Sequence, residues 1–181
     1  MEQEWIRAAA AGDAAAFEAL MSAYEKKIYG LCLRMMGSAH DGEDAAQEAM
    51  IRIWRRLSTF RGESAFSTWV YRVTASVCTD ALRKRSRNRQ ESLEALAESG
   101  FDPEDGGQTP HQAAEDGERR RALGAALATV PEGMRSVFLL RDVHGLSVEE
   151  TARALRISQG TVKSRLARAR EKIAAAIRDA V

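Results

Sequence analysis

Residues 147–170 read SVEETARALRISQGTVKSRLARAR, and this stretch decides the fold. Ser147-Val148-Glu149-Glu150 has the form of a capping box: the serine oxygen takes a backbone N–H at the start of a helix, and the glutamate three residues on reaches back. The short helix it opens carries Leu155 and Ala152, the latter small where two helices cross closely. Ile157-Ser158-Gln159-Gly160 is the turn, and Thr161 opens a second helix in which Val162 plugs the core. This is the layout of a helix-turn-helix. The second helix exposes Lys163, Arg165, Arg168, Arg170 and Lys172, and its first turn presents Gly160, Thr161 and Ser164, small enough to let backbone reach a groove. Arg, Lys and Ser so placed can bond base edges and phosphates in the major groove. A solvated basic face on a core helix is the bland alternative, but cap, turn and basic second helix coincide here, which favours DNA. Arg156 departs from the general pattern, standing where many helix-turn-helices hold glycine.

Working outward, the pattern stays helical. Leu123, Leu127 and Val130 face one way, Pro131 opens a further helix as a first-turn residue, and Gly145 closes it after Val137, Phe138 and Leu140. In the first half, Phe17, Leu20, Met21, Tyr24, Ile28, Leu31, Cys32 and Met35 step by threes and fours as one long apolar stripe, ended by Gly37. Asp41 is placed to cap the next helix, whose stripe is Ala46, Ala49, Met50, Ile53, Trp54 and Leu57. After a loop, Ser58–Ala65, a third helix shows Phe66, Trp69, Val70, Val73, Val77, Ala81 and Leu82, and runs out into Arg83-Lys84-Arg85-Ser86-Arg87-Asn88-Arg89. No stretch alternates with strand period, so the expected class is all-α. Residues 88–117 hold Pro103, Pro110 and four glycines and are dominated by acids, a linker composition with room for one short helix near Ser92–Glu98. The expected architecture is two small helical domains, 1–87 and 118–181, joined by a flexible acidic linker, 88–117.

Charge follows the same division. The 181 residues carry 27 Lys and Arg against 26 Asp and Glu, yet residues 1–88 are net +2, 89–118 net −8 and 119–181 net +7. A basic end beside an acidic middle fits a nucleic-acid partner for the end. No apolar run approaches the roughly 20 residues that span a bilayer, and the N-terminus has acids where a signal peptide needs a basic stretch, so neither membrane insertion nor export is expected. Cys32 and Cys78 cannot make a disulfide framework or a four-thiolate zinc site; both read as buried free thiols, and the expected compartment is the cytoplasm. His40, His111 and His144 are scattered, no nucleophile–base set or phosphate loop is present, and neither catalysis, metal nor cofactor is expected.

DGEDAAQEAMIRIWRRL, then FSTWVYRVTASVCTDALRKRSR, then GLSVEETARALRISQGTVKSRLARAREKI resemble the successive signatures of the extracytoplasmic-function (ECF) alternative sigma factors of bacterial RNA polymerase. The resemblance covers Asp13 to Arg87 and Arg119 to Ile177, with Ser76 standing where relatives usually carry Asn. It implies promoter-specific initiation by a factor, monomeric when free, that joins core polymerase at the clamp helices of the largest subunit and the flap region of the second-largest. By motif position the clamp contact falls on Asp44, Gln47, Glu48, Arg52 and Trp54. The residues themselves say less: Asp44, Gln47, Glu48, Ile51 and Arg55 form an exposed face that could simply be solvated, and Trp54, on the border of the apolar face, is open to a core reading. The minus-10 element, as melted strand, falls to Phe60, Arg61, Gly62, Glu63, Ser64, Trp69, Tyr71 and Arg72, with Arg83, Lys84 and Arg85 behind them. Aromatic faces can stack unpaired bases and the cations supply phosphate affinity; core aromatics with a solvated basic helix end are the alternative. The minus-35 element, as duplex, falls to Thr161, Lys163, Ser164, Arg165 and Arg168. The resemblance further implies a linker threading the polymerase cleft and an anti-sigma partner that masks both domains. The competing class is a dimeric helix-turn-helix regulator, which needs a dimer helix or ligand pocket that the sequence does not display.

Overall fold

The computed structural model describes residues 1–91 and 121–179, and every regular element among them is helical. The first domain comprises α1 (Glu2–Ala10), α2 (Ala14–Ser22), α3 (Glu25–Met36), α4 (Ala39–Arg56, followed by a 3-10 turn at Leu57–Thr59) and α5 (Phe66–Glu91). The second comprises α6 (121–128), α7 (Glu132–Phe138, widening into a π turn at Leu139–Val143), α8 (Val148–Leu155) and α9 (Gln159–Asp179).

Several local expectations shift. The long apolar stripe is two helices, α2 and α3, broken at Ala23–Tyr24. Leu20, Met21, Tyr24 and Ile28 are all buried across the break, so the periodicity continues while the backbone does not. A helix ahead of it, α1, is added: Ile6 and Ala9 are buried, and Asp13 caps α2 by accepting from the Ala16 N–H at 3.1 Å. Ser38, not Asp41, caps α4, its hydroxyl accepting from the Asp41 N–H at 3.2 Å. Likewise Ser158 accepts from the Thr161 N–H at 3.1 Å, so α9 begins at Gln159 rather than at Thr161. Pro131 sits just before α7 as its cap residue instead of inside the first turn. Helix α5 runs to Glu91, beyond the residue 88 expected to open the linker; the rest of that segment, the short helix near Ser92–Glu98 included, lies outside the described residues.

The core of the first domain is where α3, α4 and α5 meet: Leu31, Cys32, Met35, Ala49, Ile53, Val70, Ala75 and Cys78 are shut off from solvent. Gly42 lets α4 lie directly on α3, since a Cβ there would stand 2.9 Å from the Leu33 Cα. The two cysteines are free and their sulfurs 3.6 Å apart; the Cys32 sulfur, together with burial, holds the Cys78 thiol well above its ordinary pKa. In the second domain Val137, Leu139, Leu140, Leu146, Val162 and Ala169 fill the space between α7, α8 and α9. Arg170 clamps α9 to the π turn through two 2.7 Å bonds to the Asp142 carboxylate, and that guanidinium holds the carboxyl below the usual range. The domains touch: α8 packs across α5, and α7 approaches α3.

Gly42→Ala tests the close crossing. In an open helix the change gains about 1 kcal/mol of propensity. Here the Leu33 backbone must give way, so a net loss of about 1–3 kcal/mol is expected in urea unfolding. A gain in stability would show that α3 and α4 are not in contact at this point.

Candidate nucleic-acid interface

The capping box is formed in both directions: the Glu150 N–H donates to Ser147 Oγ at 3.1 Å and the Ser147 N–H to Glu150 Oε2 at 2.8 Å. Helix α8 then stops on Arg156, which adopts the left-handed conformation (φ 55°, ψ 47°) while the Ile157 N–H reaches the Ala152 carbonyl at 3.1 Å. That closing bond needs a left-handed residue, which is why glycine is usual there; a residue with a Cβ carries about 1–2 kcal/mol of strain.

On α9, Lys163, Ser164 and Arg168 are exposed and Thr161 is half-buried at its first turn. Arg165 differs from them. Its guanidinium lies over Gly133 of α7, close enough that a Cβ there would meet Nη1 at 2.8 Å. Arg170 is held by Asp142. Among the described residues, the cations left without a partner on the outer face near the turn are therefore Lys163 and Arg168.

In the first domain, the Phe60–Ser64 loop turns on Gly62 (φ 72°) beside a cleft of about 330 Å³. Phe60 and Trp69 line it, with Arg61, Glu63, Ser64 and Arg72 around the mouth. Phe60 packs edge-on to Phe66 at 5.3 Å, and Phe66 stacks on Trp69 at 5.8 Å. The loop aromatic is thus braced by the core aromatics, and Trp69 is both core and cleft wall. Glu150 and Arg153 of α8 close the far side. Ser76 turns back to its own helix, donating to the Val73 carbonyl at 2.7 Å.

The remaining predicted residues are brought together less evenly. Asp44, Gln47, Glu48, Ile51 and Arg55 form the exposed face of α4. Trp54 stands at its edge, one-third exposed and edge-on to Phe17 at 4.8 Å. Arg52 is half-buried, donating to Asp80 at 2.8 Å and Glu48 at 3.2 Å. Lys84 is exposed, while Arg85 is committed to the Met36 carbonyl, Asp41 and Glu132. Arg83 crosses to α8 and donates to the carbonyls of Leu155 and Arg156 at 3.3 and 3.4 Å. Tyr71 is buried against the His144 ring, centroids 4.3 Å apart. Asp80, Glu132 and His144 were not singled out as site residues from the sequence. Asp80 had a signal, as the one acid between Phe66 and Gln90; the other two meet the site only through the approach of the domains.

His144 gives this approach a pH dependence. Burial, then Arg34 and Lys27 of α3, push its imidazole down to about 4; the Tyr71 ring faces it from α5. A solvated imidazole titrates near 6.5, so between these values the undocked chain holds more protons than the docked one. The contact is at full strength above about pH 6.5 and weakens by up to about 1.4 kcal/mol per unit as pH falls toward 4. Following the His144 ring proton by NMR should show this low titration, and His144→Gln should remove the acid sensitivity of the Tyr71 contact. Titration near 6.5 would place the ring in solvent.

Among the described residues no helix is long and apolar enough to cross a membrane, and no three His, Cys, Asp or Glu side chains gather as metal ligands. Residues 20–88 match the family model of Sigma-70 region 2, and residues 120–173 that of Sigma-70 region 4. The chain is 34% identical over 176 residues to the RNA polymerase sigma-H factor of Pseudomonas aeruginosa, covering 95% of this chain and 91% of that one. It is 32% identical over 183 residues to the ECF RNA polymerase sigma factor SigW of Bacillus subtilis (99% and 98%), and 36% identical over 168 residues to the ECF sigma-E factor of Escherichia coli K12 (90% and 86%). Its fold is shared with the sigma factor RpoE of Bartonella quintana, solved with the anti-sigma factor NepR, at a TM-score of 0.68 and 21% identity over 90% of this chain and 96% of that one. It is shared also with CnrH, solved with the cytosolic domain of CnrY, at 0.60 and 22% over 96% and 95%. With both sigma regions matched in order and relatives aligned over nearly their whole length, the chain belongs to the ECF sigma factors, initiation factors that direct transcription by bacterial RNA polymerase.

Proposed function

We propose that this sigma factor divides promoter recognition between its domains. Helix α9 enters the major groove of the minus-35 duplex, with Lys163 and Arg168 on phosphates or bases and Thr161 and Ser164 at base edges; Arg165 acts from its place beside α7. The Phe60–Ser64 loop and the cleft floored by Trp69 take a base flipped from the melted minus-10 strand, with Tyr71, Arg72, Arg83, Lys84 and Arg85 along the backbone path. Stacking and edge hydrogen bonds there offset the few kcal/mol of unstacking. The α4 face of Asp44, Gln47, Glu48, Arg52 and Trp54 meets the clamp helices of the largest polymerase subunit, and the second domain meets the flap region of the second-largest. The factor works in the cytoplasm, is monomeric when free, and is held by an anti-sigma partner that covers both domains.

The observation that carries this reading is the pairing, in one chain, of exposed Lys163, Ser164 and Arg168 on α9 with a polar cleft that Phe60 and Trp69 help to line, beside a glycine-turned loop. Run-off transcription with core polymerase on a promoter library tests it, and failure of the chain to co-elute with core enzyme would end it. Lys163→Ala should weaken promoter binding and, if the contact is to phosphate, lower the salt slope by about one. Ser164→Ala should change base preference at nearly constant salt slope. Binding unchanged in both variants would mean that another face of α9 meets DNA.

A further inference from the structure

Among the described residues, Arg156 is the one non-glycine at positive φ, and its side chain does not stay with its own domain. It crosses to α5, where Nη1 meets Asp80 Oδ1 at 2.9 Å. The other oxygen of Asp80 takes Arg52 Nη1 at 2.8 Å, and Arg52 in turn holds Glu48. A single charge chain, Glu48–Arg52–Asp80–Arg156, therefore runs from the outer face of α4 through α5 to the turn of the helix-turn-helix. Arg83, one turn beyond Asp80, donates to the two carbonyls that end α8, where the helix dipole favours a cation. The strained residue is thus fixed by its side chain and by its carbonyl, both from the other domain.

The groups engaged are the ones needed elsewhere. On the reading above Glu48 and Arg52 belong to the polymerase face and Arg83 and Tyr71 to the minus-10 face, while α8 places Glu150 and Arg153 along the far side of the cleft. The docked arrangement also carries a load. Arg135 of α7 is buried against Gly37 and its Nε has no hydrogen-bond partner; burial disfavours its charge, Glu132 offsets part of this, and Arg85 adds to it. Docking is thus held by identifiable contacts against an opposing one.

We propose that Arg156 and Asp80 form an interdomain latch that keeps the free chain docked, with α8 along one side of the minus-10 cleft, and that core polymerase binds the undocked form. The polymerase step rests on the reading above; the latch itself is a property of the free chain.

The test is small-angle scattering of the full chain, alone. The wild type should have a radius of gyration within a few ångströms of the roughly 16 Å of a compact globule of this length, growing with salt. Arg156→Gly should lower the docked-to-open ratio about 2–5-fold, as loss of one partly exposed pair does, while circular dichroism and the melting temperature of the second domain hold or rise because glycine relieves the left-handed strain. Asp80→Asn should open the chain too, and the double variant should open it no further than Asp80→Asn does. Apparent affinity of Arg156→Gly for core polymerase should rise by the same factor as its open fraction. A wild type already extended, an Arg156→Gly profile identical to wild type, or strictly additive opening in the double variant would each overturn the latch. If neither wild type nor Arg156→Gly joins core polymerase, the polymerase reading fails, and the scattering still decides the latch.

Discussion

One helix has to serve three neighbours. Helix α5 touches α3 and α4 within its domain and α8 across the gap, and from Trp69 to Thr79 only Arg72 and Ser76 escape burial. A helix enclosed on nearly all sides has no face for polar groups, so its polar residues must be satisfied internally. Thr74 and Thr79 do this, donating to the Val70 and Ala75 carbonyls at 2.9 and 2.8 Å. Beyond Thr79 the same helix turns charged: Ala81 and Leu82 still pack on the core, while Asp80, Arg83 and Arg85 reach out through ion pairs and carbonyl bonds. The apolar stretch fixes the domain; the charged stretch decides what the domain meets next.

That division explains what could be read from the amino acids. The helix-turn-helix was legible because its signals are local: Ser147 and Glu150 cap one another three residues apart, and Ala152 and Val162, on either side of a short turn, are both buried. The outer face of α4 was legible because the helical period sorts Asp44, Gln47 and Glu48 from Ala45, Ala49 and Ile53. The break between α2 and α3 was hidden because the apolar register survives it. Ser38 is hard to read as the α4 cap because Asp41, an equally good capping residue, follows three residues later.

The charged residues were the least legible, and the reason is physical. A guanidinium on a helix surface has the same sequence signature whether it awaits phosphate or is already bonded. Arg165 over Gly133, Arg170 on Asp142 and Arg85 on Glu132 all sit in basic runs, and only the approach of a second element tells them from Lys163, Lys84 or Arg168. His144 is a similar case. Nothing around it in sequence depresses its titration; burial and two cations from α3 do.

The energy scale of the domain contact follows from its composition. Among the described residues its polar part is two partly exposed ion pairs, Arg85–Glu132 and Arg156–Asp80, each contributing about 0–1 kcal/mol, with the Arg83 carbonyl bonds and the Tyr71–His144 ring contact beside them and the buried Arg135 opposing them. As a bimolecular interface this would be negligible. The 29 residues between 91 and 121 make it intramolecular, and a short tether supplies an effective concentration in the millimolar range. Docking then has to exceed balance by only a few kcal/mol, and a change of about 1.4 kcal/mol moves the ratio tenfold. The loss of a single side chain such as Arg156 then shifts the ratio measurably. A large apolar interface would have been stable and unresponsive; a ladder of ion pairs holding a strained turn can be both formed and released.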